Sequence, residues 1–192
     1  MTNVTPARIS LVSFDRPWFE VTETGEQAYR IRLEGAFGPS WMASLCAELA
    51  DRQISIDRAH AMRTVNQTWV AELNVVALPG AEDPLAIPYV ELAEAGAPDA
   101  SDPLGLDSYT IEETPAHGGT LKLTIEGKDG LGLLGSLLSQ CAMLFLFPIE
   151  MHIETRDGRV HDSFWLATVG ASSPGPRIRD SLHRVLGRAQ HG

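Results

Sequence analysis

The chain repeats itself at an offset of 92 residues. A repeat constrains a fold more than any single motif, because each copy must build the same supersecondary unit. Ile31-Arg-Leu-Glu-Gly-Ala-Phe-Gly-Pro-Ser-Trp-Met-Ala-Ser-Leu45 lies without a gap over Leu123-Thr-Ile-Glu-Gly-Lys-Asp-Gly-Leu-Gly-Leu-Leu-Gly-Ser-Leu137. Glu34/Glu126, Gly35/Gly127, Gly38/Gly130, Ser44/Ser136 and Leu45/Leu137 are identical pairs. Further on the register slips by a residue while the order of elements persists. In 192 residues two copies have less than about 100 residues each, small domains by ordinary standards.

In the second copy Leu121, Leu123 and Ile125 alternate with Lys122, Thr124 and Glu126, the period of a half-buried strand. Glycines break it, and Leu133, Leu134, Leu137, Leu138 and Cys141 then recur at helical spacing, predicting a helix from Gly132 to Leu144. Alternation returns from Phe147 to Thr155, Asp157-Gly158 signals a two-residue hairpin, and Val160, Asp162, Phe164 and Leu166 mark one face of a third strand. Pro174 to Arg188 reads as a second amphipathic helix. The first copy predicts a strand near Tyr29 to Leu33, a helix from Ser40 to Arg52, strands at Ile54 to Met62 and Thr68 to Leu78, a short helix within Pro84 to Ala95, and a closing strand at Tyr109 to Glu113. Thr114-Pro-Ala-His-Gly-Gly119 punctuates the boundary. The expected division is an N-terminal extension over 1–27, a first unit over 28–114 and a second over 119–192. The second unit lacks a final strand, and residues 8 to 14 are expected to supply it.

Composition narrows the function classes. Apolar residues at 44% and charged residues at 21% suit packed cores. A net charge of −10 repels phosphate backbones, so nucleic acid is not an expected partner. The longest apolar run, Ala142 to Ile149, is interrupted by Pro148 and falls far short of the roughly 20 residues that span a bilayer; no membrane segment is expected. Cys46 and Cys141 sit in apolar helical patterns, and the start of the chain lacks a secretory signal, which together suit a cytoplasmic protein.

Three motifs carry a family resemblance: Asp129-Gly-Leu-Gly-Leu-Leu134 after the first strand of the second copy, Ile149-Glu-Met-His-Ile-Glu-Thr155 on the second, and Gly158-Arg-Val-His-Asp-Ser-Phe164 entering the third. They resemble an ACT domain, in particular the tandem ACT regions of bacterial nitrogen-signalling and glycine-cleavage regulators. The first copy departs from the pattern, with Phe37 in place of the family's aspartate and Ser40 in place of the helix-opening glycine. The resemblance implies an α+β fold of two tandem ferredoxin-like (βαββαβ) units, antiparallel sheets with helices on one face. Such sheets leave a face and an edge to cover, so side-by-side or face-to-face packing of the units, or a homodimer, is expected.

Glycines between strand and helix let a ligand approach backbone N–H groups at the positive end of the helix. The resemblance implies an effector, often an amino acid, at this loop and across an interface. Asp129, Gly130, Leu131, Gly132 and Leu133 are therefore the candidate ligand residues, with Asp129 receiving an amino group, and the output would pass to another protein. The competing reading is a small enzyme on the same scaffold. With Asp157-Gly158 as the turn, Glu154 faces His161 and His152 faces Ser163 on one sheet face beside Glu150 and Trp165, so His152, Glu154 and His161 are the candidate acid/base or metal set. No zinc-type His/Cys spacing, nucleophile elbow or phosphate loop occurs, and neither a metal nor another cofactor is expected.

Overall fold

The computed structural model describes residues 16–96, 104–169 and 172–189. Its core is one eight-stranded antiparallel sheet. The strands are β1 (Trp18–Gly25), β2 (Ala28–Gly35), β3 (Ile54–Arg63), β4 (Trp69–Ala77), β5 (Leu106–Thr114), β6 (Thr120–Lys128), β7 (Phe147–Arg156) and β8 (Arg159–Ala167). The helices are α1 (Trp41–Asp51), α2 (Tyr89–Glu94), α3 (Leu133–Met143) and α4 (Pro176–Ala189). The protein is thus α+β. Among the described residues no helix is long and apolar enough to cross a membrane.

The sheet order, β1-β2-β4-β3-β7-β8-β6-β5, reads the same from either edge once the copies are matched. The halves stand side by side, joined where β3 pairs with β7. The order along the chain differs from expectation in one respect: the edge strand of each half comes first, giving ββαββα twice. The strand expected to close the first unit, Tyr109 to Glu113, is β5 and pairs with β6 of the second half. The equivalent place in the first half is taken by β1, which pairs with β2 and was not anticipated. Residues 8 to 14, the expected source of a closing strand, lie outside the described residues.

The glycine pair Gly35/Gly127 accounts for how these edge strands arrive. A Cβ on Gly35 would come within 2.5 Å of the Pro17 Cα, just ahead of β1, and one on Gly127 within 3.3 Å of the Gly105 carbonyl, just ahead of β5. In each half the chain entering the edge strand lies against a glycine in the last two residues of the next strand.

Alternation then builds the core. Ile31, Leu33, Leu73, Val75, Leu121, Leu123, Ile125, Met151 and Phe164 are buried on one face of the sheet, beneath the helices. Every second residue, including Arg30, Arg32, His60 and His152, points to the other, open face. Each methylene removed from water on the covered face contributes about 0.8 kcal/mol, so the buried row fixes the register. The expected core positions Trp41 and Trp69 are both 2% exposed, and the two cysteines are buried free thiols.

Helices α1 and α3 meet closely at Gly135, where a Cβ would lie 3.1 Å from the Ala47 nitrogen and 3.3 Å from its Cα. Gly135→Val must therefore push the helices apart, at an expected cost of about 2 kcal/mol. An unchanged urea midpoint in that variant would show that the helices are not in contact there.

Candidate functional site

The loop Asp129–Leu133 leaves β6 and opens α3. Gly132, the residue before the helix, has φ 88°, ψ −10°, a left-handed conformation that favours glycine. No side chain caps the helix start. The Asp129 backbone N–H donates to the Gly158 carbonyl at 2.9 Å, tying the loop to the β7–β8 turn.

Two spaces flank this loop. One is a cavity of about 40 Å³ between the halves, bounded by Cys46 and Ala50 of α1, Ile54 to Ile56 of β3, the loop itself and Asp162 of β8. It holds a few waters at most. The other is a more open groove of about 370 Å³, lined by Leu104, Gly105, Lys128, Asp129 to Leu133 and Ser136. All five residues expected at the ligand site line both spaces.

Asp162 is the group that sequence reasoning left in the strand without a role. It is 2% exposed and sits on the covered face between Val160 and Phe164. One carboxylate oxygen accepts from the Glu154 backbone N–H at 3.1 Å. Burial pushes its pKa up to about 7; the Glu154 N–H opposes this, and the negative charge of Asp129 reinforces it. Asp129 is also raised, by burial first, with the Gly130 N–H opposing and Asp57 adding to the rise. Burial, and then the charge of Asp162, raise the Cys46 thiol, so it does not ionise near neutrality. The signal for Asp162 was present in the sequence as a carboxylate in an otherwise apolar period-two row.

The equivalent place in the first half is lined by aromatics and leaves a smaller space of about 130 Å³, bounded by Phe37, Pro39, Arg63 and Trp69 with Phe147 to Ile149 of the other half. Phe37 stacks on Trp41 with centroids 5.0 Å apart, and Trp41 meets Trp69 edge-on at 5.3 Å. The departure of Phe37-Gly-Pro-Ser40 from the motif thus corresponds to a narrower, aromatic-lined space in place of the open groove.

The open face carries a second constellation. The expected facing of His152 and Ser163 is present, and Thr155 faces Val160 nearer the turn. The three residues of the expected acid/base set, however, turn to different partners. Glu154 is held by Arg58 at 3.0 Å and Arg156 at 2.6 Å, and the hydrogen bond from Arg156, with Arg58 adding to it, keeps its carboxyl below the usual range. His161 lies 3.6 Å from Glu126. His152 Nε2 instead meets Glu150 Oε1 at 2.7 Å. His60 and His117, neither of them anticipated, approach the same Glu150 at 3.9 and 2.7 Å. Burial raises the Glu150 carboxyl, but hydrogen bonds from His152 and His117 outweigh it and leave the net shift downward. His60 arrives through the pairing of β3 with β7, which no local pattern reveals.

Comparison with protein-family models, with curated proteins and with solved structures found no match to this chain.

Proposed function

We propose that the protein is a regulatory module that binds a small zwitterion of the amino-acid class at the Asp129–Leu133 loop and passes the signal to a partner protein. The observation that carries this reading is the asymmetry of the two loops. The first carries the stacked rings of Phe37, Trp41 and Trp69 beside a smaller space of about 130 Å³; the second borders a more open groove of about 370 Å³, lined by the opposite charges of Lys128 and Asp129 ahead of an uncapped helix start. A ligand carboxylate suits Lys128 and the positive end of α3, and an ammonium suits Asp129.

The scaffold belongs to the same proposal. Each half places its strands in the order edge, first, third, second, which supports two ferredoxin-like units of the ACT type with the closing strand moved to the front of each unit. The groove is lined by the second half alone, but the loop that forms it also borders α1 and β3 of the other half across the small cavity, so a ligand that orders the loop can favour one arrangement of the halves, as coupling to a partner requires.

Thermal denaturation against the common amino acids tests this directly. One or a few should raise the melting temperature, the corresponding amine and the corresponding carboxylic acid should not, and Asp129→Asn should abolish the shift. If no amino acid shifts the transition and calorimetric titration at millimolar ligand gives no binding heat, the proposal fails.

A further inference from the structure

On the open face, at the central seam of the sheet, stand ligating side chains that the loop site does not use. His60 of β3 and His152 of β7 are directly opposite in the register, with ring centroids 4.5 Å apart. They are 92 residues apart, the offset of the repeat, so the halves meet on equivalent histidines at their pseudo-twofold axis. Glu150 shares their face because it precedes His152 by two residues. The ligating atoms of His60, Glu150 and His152 all lie within 4.8 Å of one another.

We propose that His60, His152 and Glu150 bind a divalent d-block cation, Zn²⁺ being the best match, and that His117 positions the Glu150 carboxylate for it. Two imidazoles with one carboxylate are a zinc donor set, and nitrogen donors disfavour Mg²⁺ and Ca²⁺. Four-coordinate Zn²⁺ with bonds near 2.0–2.1 Å places its ligand atoms roughly 3.3 Å apart. The Glu150 Oε1 distances to His152 Nε2, 2.7 Å, and to His60 Nε2, 3.9 Å, bracket that separation. Small rotations of exposed rings, each side chain 52% accessible, equalise them.

The surroundings favour a cation as well. All three ligands project from paired strands in the middle of the sheet, where the backbone is held on both sides. His117 Nε2 lies 2.7 Å from Glu150 Oε2, the oxygen turned away from His60 and His152. His117 has φ 54°, ψ 30°, left-handed backbone that non-glycine residues seldom occupy, in the turn that leads into β6. Trp165 closes one flank, its ring centroid 5.3 Å from that of His152 and 6.4 Å from that of His117. The fourth position faces solvent, where a water or an anionic ligand atom completes the coordination. This site lies on the sheet face opposite the buried Asp162 and does not depend on the small-molecule reading.

The test is calorimetric titration of the metal-stripped full chain with Zn²⁺, supported by Co²⁺ absorption. The expected result is one Zn²⁺ per chain with a Kd of about 10 μM or below. His60→Gln and His152→Gln should each weaken binding by at least about tenfold, and His117→Gln by a smaller factor. His161→Gln and His183→Gln should leave it unchanged. Wild-type protein should show the visible bands of four-coordinate Co²⁺, and the His60→Gln/His152→Gln double variant should lose them while keeping its far-ultraviolet circular dichroism and melting transition. Binding weaker than about 1 mM, or undiminished binding in that double variant, overturns the proposal. If the double variant does not fold, Glu150→Gln replaces it, with the same two outcomes.

Discussion

Replacing Asp162 with asparagine should stabilise the protein at about pH 8 by about 4 kcal/mol and change it little at about pH 4. Burial is the cause. Asp162 is 2% exposed and close enough to Asp129 for their charges to oppose each other, so its folded-state pKa is pushed up to about 7 from an ordinary unfolded value near 3.9. A carboxyl raised in this way holds its proton more tightly in the folded state. Its stabilising contribution is complete below the unfolded pKa and is lost as pH rises through the folded one, so the wild-type protein should lose stability between about pH 4 and pH 7 and level off above. Asp129 is raised as well, by burial first, and adds to the loss in the same direction in both proteins, so the difference between them reports Asp162; Glu150 and Glu154 are shifted down, and their contributions are lost as pH falls below the ordinary glutamate range. The asparagine carbonyl still accepts from the Glu154 N–H, so the variant removes the charge and keeps the bond. Urea midpoints of both proteins across this range decide the matter. Parallel curves would mean that Asp162 ionises in the folded protein as it does in the unfolded chain.

What could be read from the sequence follows from which forces are local. Helix α3 and strand β6 were legible because their apolar periods lie within a dozen residues, and the loop between them was legible because Gly130 and Gly132 break one period before the other starts. The seam was not. His60 and His152 are brought together by the pairing of β3 with β7, and the only trace of that in the sequence is that their spacing equals the repeat offset. Strand β1 was missed because an edge strand buries little of either face; Trp18 and Val21 are half-buried and most of their neighbours exposed. Strand β5 was found but given to the wrong half, since alternation identifies a strand without naming its partner. Its partner is β6, paired along the whole of its length and approached at one end by Gly105 against Gly127, contacts that are invisible until the sheet exists.

Truncating equivalent positions of the two loops should give unequal losses. Trp41 and Leu133 both open their helices and are 92 residues apart, yet Trp41 is 2% exposed between Phe37 and Trp69, while Leu133 is only partly buried beside the groove. Trp41→Ala should cost about 4 kcal/mol, from lost burial plus the cavity left among rigid aromatic neighbours. Leu133→Ala should cost about 1 kcal/mol, because solvent reaches the vacated space. Trp41→Phe separates shape from chemistry: the buried indole Nε1 finds no acceptor among the described residues, so phenylalanine gives up area but also removes an unsatisfied donor worth about 1–3 kcal/mol, and the net change should be well below that of alanine. Urea unfolding of the three variants checks the order. Equal losses at Trp41→Ala and Leu133→Ala would mean that both loops are packed alike, and the asymmetry that marks the second loop as the binding site would be gone.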